Sequence, residues 1–207
     1  MYINVSFDLI CPWCYIGKRR LQRALGLRPA FTAELHWHPF LLNPTMPREG
    51  EDHKGYLLNK FGSEARVRRL LGAIETTGQS EEISFNFDDI ETTPNTVDAH
   101  RLVRYAHEFG QDETVVEALF RAYFSEGRDI GSMSELCAIG CSVGLDGQAV
   151  QAHLESSTDI AWVQDQNEVS HRLGINGVPC FLINDEMALQ GAHPAEIIAR
   201  LLDAAAA

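Results

Sequence analysis

Val5-Ser6-Phe7-Asp8-Leu9-Ile10-Cys11-Pro12-Trp13-Cys14-Tyr15-Ile16-Gly17 is the stretch whose reading decides the fold. Upstream of the cysteines, residues Tyr2 to Asp8 alternate, with Ile3, Val5 and Phe7 apolar and Asn4, Ser6 and Asp8 polar, which is the period of a strand. Downstream, Cys11 to Leu25 reads as a helix. Pro12 stands at an early position, where its missing N–H costs nothing, and Gly26 closes the segment. The Cys-x-x-Cys pair therefore sits where a strand hands over to a helix. The first N–H groups of a helix are unpaired and carry partial positive charge, so a thiolate at Cys11 is stabilised there. Cys14, one turn further in, is better shielded and reads as the resolving thiol. Their spacing puts both sulfurs on one helix face, close enough to bridge.

Spacing alone leaves other readings open. The pair could be half of a zinc site, but zinc wants two further Cys or His ligands, and no second C-x-x-C or H-x-x-x-H occurs. It could be two inert core thiols, yet a Pro12-Trp13 interior at such a turn is an unusual place for them. Thiol–disulfide exchange is the favoured reading, and no metal is assigned.

Working outward, Glu34 to Leu41 is a second strand, so the chain opens β-α-β, two parallel strands joined by a right-handed crossover. From Asp52 to Gly174 strand signals nearly vanish. Ser63 can cap a helix reaching Thr76. Asn95 begins another with Leu102, Tyr105, Ala106 and Phe109 on one face, and Asp112 starts a third carrying Val116, Leu119, Phe120 and Tyr123. Ser132-Met133-Ser134-Glu135 has capping-box spacing, and further helices fit Gly147–Leu154 and Asp159–Leu173. The segment from Ile83 to Thr93 is a loop whose Phe85 and Phe87 should pack down. Val178 to Ile183 is a strand, Asn184-Asp185 a turn, Met187 to Gln190 the antiparallel partner, and Pro194 opens a final helix through Leu202. The expected division is residues 1–50 with 174–207 as an α/β domain, and 51–173 as an inserted helical domain.

The 207 residues are 45% hydrophobic and 22% charged, ordinary for a globular chain. A net charge of -12 argues against a nucleic-acid partner, and the short basic runs Arg19-Arg20 and Arg66 to Arg69 read as solvated helix faces. No apolar run approaches the ~20 residues that span a bilayer. Met1-Tyr2-Ile3-Asn4-Val5 lacks the features of a secretory signal, so the cytosol is expected. Of the five cysteines, Cys137 and Cys141 share a helix face, where a disulfide would be strained, and they read as small buried hydrophobes. Cys180 reads first as a core residue, and otherwise as a modulating third thiol or metal ligand. Asp8 either accepts protons during exchange or caps the turn after it. His36 and His38 share a strand face without needing a catalytic role, and Asn95 reads first as a helix cap.

These blocks resemble the thioredoxin superfamily, and the long helical insert resembles its DsbA branch, more narrowly the FrnE type. The resemblance rests on Phe7 to Gly17, on Trp37-His38-Pro39-Phe40-Leu41-Leu42-Asn43-Pro44, on Pro94-Asn95-Thr96 and on Ala99-His100-Arg101-Leu102. It continues through Gly174-Ile175-Asn176-Gly177-Val178-Pro179 and Gly191-Ala192, in the family's order across almost the whole chain. It implies a thioredoxin-like fold, β-α-β … β-β-α, with a large all-helical insertion. It also implies that Pro179 is a cis-proline whose loop faces the cysteines, leaving Val178 to pair with an incoming peptide or glutathione; a trans proline opening an edge strand is the bland alternative. The wider family includes 2-hydroxychromene-2-carboxylate isomerases and kappa-class glutathione transferases, which carry a single Ser or Cys where Cys11 stands. By that likeness Asn95, Ala192 and His193 become candidate contacts for glutathione. The expected activity is protein-disulfide exchange with a disulfide-bearing protein or glutathione as partner and no tightly bound cofactor. A glutathione-dependent isomerase or transferase of small aromatic compounds, and a peptide-binding holdase, are the rivals.

Overall fold

A computed structural model of the chain describes residues 1–206. The chain opens with β1 (Tyr2–Phe7), α1 (Pro12–Gly26) and β2 (Glu34–Pro39). The middle section runs β3 (Glu51–Asp52), α2 (His53–Phe61), α3 (Glu64–Gln79), β4 (Thr92–Thr93), α4 (Val97–His107), α5 (Asp112–Phe124), α6 (Met133–Ser142), α7 (Gly147–Glu155) and α8 (Ile160–Arg172). It ends with β5 (Cys180–Ile183), β6 (Met187–Gln190) and α9 (Ala195–Ala205).

The main sheet has the order β2-β1-β5-β6. β1 lies parallel to β2, with Val5 beside Trp37, and antiparallel to β5, with Val5 beside Phe181; β6 completes a hairpin on β5. This is the thioredoxin-like arrangement expected from the element order. Because β1 is a central strand covered on both faces, most of its polar set is withdrawn from water: Asn4 is half-buried, Ser6 is buried and Asp8, just past the strand, is wholly so. Helix α1 packs against α9 on one side and against α3 and α5 on the other. One continuous apolar cluster runs from Ile3, Val5 and Phe7 through Tyr15, Phe120 and Phe124 to Ile198 and Leu202. Tyr15 stacks on Phe120 at 5.0 Å, so the cysteine helix and the helical block share a core.

The structure departs from the sequence reading in definite places. Gly26 is helical and the cap falls on Leu27. Helix α2 and the short β3–β4 ribbon, with Asp52 opposite Thr92, carried too few residues to show a period. Phe109 lies beyond α4 and is exposed, because Glu108 already ends that helix. The Ser132/Glu135 capping box is not made: Glu135 pairs with Arg128, and the Ser132 hydroxyl meets Ser134 at 2.9 Å. Cys141 is exposed and Cys137 half-buried, so neither is the core residue their spacing suggested. Among the described residues no helix is long and apolar enough to cross a membrane.

Three imidazoles carry a consequence for stability. Burial pushes His38, His53 and His153 down from the ordinary 6.5, in His153 with the help of the Arg101 charge. The unfolded chain then takes up these protons before the folded one as pH falls, so this contribution is full above 6.5 and is lost below it. Urea midpoints should therefore drop between about pH 7.5 and about pH 5.5, above the range where carboxylates protonate. Equal midpoints would contradict this reading.

Candidate active site

Cys11 is the N-cap of α1, in extended backbone (φ -98, ψ 108), and its carbonyl accepts from Cys14 N at 2.9 Å and Tyr15 N at 3.4 Å. Pro12 occupies the first helical turn, where an N–H would have no partner. The helix start thus falls at the nucleophile, with the unpaired N–H groups of α1 grouped beneath it. The Cys11 thiol donates to the Val178 carbonyl at 3.6 Å, and the Val178–Pro179 peptide bond is cis. Gly17 explains how that loop comes so close: a Cβ there would lie 2.7 Å from Pro179 Cγ. Ala at this position would push the proline away from the helix that carries the cysteines.

The two thiols are not equivalent. Both are free and both are buried, but Cys11 lines the wall of a cavity and Cys14 does not. Burial pushes the Cys14 thiol well up from its ordinary value, and the neighbouring Cys11 adds to this. Cys14 is therefore held as a thiol behind the reactive sulfur.

Beneath the pair lies a group of polar atoms that sequence reasoning only half found. Asp8 Oδ2 accepts from Leu42 N at 2.7 Å, while Oδ1 is buried without a hydrogen bond. His100, from α4, brings Nε2 to 3.6 Å from that oxygen and is itself buried, with neither ring nitrogen bonded. Trp37 Nε1 is a further unbonded buried donor, and Phe7 packs edge-on against both Trp37 and His100. Asp8 does not cap the turn with its side chain; its backbone carbonyl does that work, accepting from Cys11 N at 3.1 Å. In the sequence His100 stands out only as part of the block Ala99 to Leu102. Its one sequence signal was an imidazole on the apolar face of a helix.

The cavity beside Cys11 has a volume of roughly 280 Å³ and a largely apolar wall. Trp13, Leu42, Leu57, Ile74 and Phe124 line it, with His53 and Lys60 among its polar members. His53 Nδ1 is held by Thr93 Oγ1 at 2.8 Å, while Nε2 is buried with no partner.

Other candidates lie elsewhere. Asn95 accepts from Val97 N at 3.0 Å and donates to the Met46 carbonyl at 2.7 Å, so it shapes the start of α4 and stands outside this cavity. The Ala192 carbonyl is taken by Arg20, and His193 Nε2 meets the Gln190 carbonyl at 2.9 Å; neither residue lines the cavity. Cys180 is buried in a small cluster with Phe40 and Ile175. His38 bridges Asn4 and Gln166 at 3.0 and 3.1 Å, tying β1, β2 and α8 together. Among the described residues no group of three or more His, Cys, Asp or Glu could hold a metal ion.

The model of the DSBA-like thioredoxin domain matches residues 2–203. The chain belongs to the DsbA-like thioredoxin family. A probable DsbA oxidoreductase from Streptomyces coelicolor superposes with a TM-score of 0.91 at 27% identity, covering 99% of this chain and 89% of that one. The uncharacterized protein YwbO of Bacillus subtilis (strain 168) is 26% identical over 187 residues, 89% of this chain and 88% of its own. The cytosolic disulfide reductase DsbM from Pseudomonas aeruginosa, solved with GSH, shares the fold: TM-score 0.67 and 18% identity over 100% of this chain and 96% of that one. Family membership together with the Streptomyces oxidoreductase neighbour supports a redox or isomerase enzyme.

Proposed function

We propose that this DsbA-like protein catalyses dithiol–disulfide exchange through Cys11 and Cys14. The observation that carries this is the unequal pair: Cys11 opens onto a cavity at the start of a helix, and Cys14 is buried one turn behind it. The Cys11 thiolate attacks a substrate disulfide, a Cys11–substrate bond forms, and the other substrate sulfur leaves as a thiolate. Cys14 then loses its proton, attacks Cys11 and releases the second substrate thiolate, leaving a Cys11–Cys14 disulfide. Val178 and Pro179 border the site of attack and position the incoming chain through the Val178 backbone. Trp13 offers an apolar contact beside the sulfur. Asp8 accepts the Cys14 proton through its unbonded Oδ1, an oxygen whose charge already bears on Cys14. The partner is a disulfide-bearing protein or glutathione, as the glutathione-bound DsbM structure suggests by analogy. In the cytosol, whose glutathione pool is reducing, such exchange runs as reduction or isomerisation.

Cys14→Ser is the informative variant. It should accumulate a covalent Cys11–substrate adduct, seen as a mass increase that dithiothreitol reverses, with turnover nearly abolished. A glutathione-dependent isomerase or transferase needs only one sulfur and would keep its rate in this variant. Full activity in Cys14→Ser therefore replaces the exchange reading with that one.

A further inference from the structure

In a chain of net charge -12, Lys60, Arg66 and Arg69 stand together with no carboxylate within 4.0 Å among the described residues. Lys60 comes from the end of α2, and the two arginines from the first turns of α3. With Phe61, Leu70 and Ala73 they line a surface hollow. Lys60, Phe61 and Leu70 also belong to the wall of the cavity beside Cys11, so the hollow and the cavity adjoin across these three residues. Part of the basic run that reads in sequence as a solvated face, Arg66 and Arg69, therefore lines a hollow next to the reactive cavity.

The two compartments ask for different chemistry. An apolar cavity of about 150 Å³ already admits benzene, so roughly 280 Å³ has room for one substituted ring. Its wall is apolar except at a few points, of which the unbonded His53 Nε2 is buried. Burial keeps that imidazole neutral near pH 7, so it offers a ligand a hydrogen bond rather than a charge. The hollow outside supplies three cations with no protein anion to satisfy them.

We propose that Cys11 acts on a small amphipathic disulfide, its aromatic thiol group seated in the cavity and its carboxylate held by Lys60, Arg66 and Arg69. This rests on the thiol-exchange reading above. The Cys11 thiolate attacks the aryl disulfide; one aryl thiolate leaves with the electron pair of the broken S–S bond. Cys14, after losing its proton, displaces the second. One disulfide is reduced to two thiols, the enzyme is oxidised to Cys11–Cys14, and a dithiol reductant returns it.

The test compares four disulfides with dithiothreitol as reductant: 5,5′-dithiobis(2-nitrobenzoate), anionic and aromatic; 2,2′-dithiodipyridine, neutral and aromatic; glutathione disulfide, anionic and aliphatic; and cystamine, cationic and aliphatic. Each catalysed rate is divided by the rate with dithiothreitol alone, which removes intrinsic reactivity. The anionic aromatic compound should gain most, by roughly tenfold over the neutral one, and salt should shrink that ratio. Arg66→Ala/Arg69→Ala should lower the ratio, whereas Arg68→Ala, on the same helix but outside the hollow, should not. Leu71→Trp, which narrows the cavity, should lower aromatic relative to aliphatic rates. Equal normalised rates for the two aromatic compounds, or a ratio unchanged in the double variant, would overturn the proposal. No acceleration of any of the four would instead remove the exchange reading on which it stands.

Discussion

Replacing Cys11 by serine should reduce catalysed insulin reduction to the background set by dithiothreitol alone, a loss on the order of 10³-fold or more. A hydroxyl at this position is not ionised near neutral pH and forms no bond to a substrate sulfur, so both halves of the exchange are lost. The surroundings explain why the loss should be one of chemistry rather than folding. The backbone that starts α1 bonds through the Cys11 carbonyl, not its side chain, and the thiol makes one long contact to Val178. Serine is nearly the same shape, so the melting temperature should stay within a degree or two of wild type. A folded Cys11→Ser protein retaining a tenth of the rate would rule out Cys11 as the nucleophile. A holdase would show the opposite pattern, with client binding intact in the variant.

The largest stability effect is expected at Arg101, which is 1% exposed. Its guanidinium donates to the carbonyls of Thr158 at 2.7 Å, Leu154 at 3.0 Å, His153 at 2.6 Å and Ser156 at 2.8 Å, and to Asp98 at 2.6 Å. The last carbonyls of a helix have no partners within it, and here one side chain from α4 supplies them for the end of α7 and the turn that follows. Arg101→Met fills much of the space but removes all five bonds: the His153 carbonyl keeps the Ser156 hydroxyl, while the buried Leu154 loses its side-chain partner and Asp98 its close cation. The cost should be about 3–5 kcal/mol, the scale for breaking a buried charged network. For a chain of this size that is on the order of 10 °C in melting temperature. A shift under about 2 °C would mean that water enters and replaces the guanidinium.

Features whose cause is local were legible in the sequence. The strand period of β1, the Pro12 start of α1 and the Asn184-Asp185 turn depend on a few adjacent residues. The turn follows its composition, with both residues at positive φ (52 and 58), a conformation that Asn and Asp tolerate better than most. Ser63 caps α3 as read, accepting from Arg66 N. Helix α2 was not legible: it is short, holds Gly55 near its start and buries only His53 and Leu57, so no apolar stripe stands out. The Ser132/Glu135 motif misled because a capping box is a pattern of two residues, and Arg128 competes for the glutamate with a full charge.

The Cys11–Cys14 pair and its place at a helix start were determined by the sequence alone, because spacing along a helix fixes which side chains meet. The parallel pairing of the first two strands followed equally from the order of elements. What only the tertiary structure decided is the environment that makes the two thiols differ. Burial of Cys14 needs the shared core of α1 and α5, and the approach of Pro179 needs the bare face of Gly17. The pairing of Asp8 with His100 joins residues far apart in the chain, and the cavity wall joins α2 and α3 to the cysteine loop. Desolvation and charge proximity depend on every element packed around a group. No local pattern of residues carries that information, which is why the roles of the pair could be read from sequence and the groups that surround it could not.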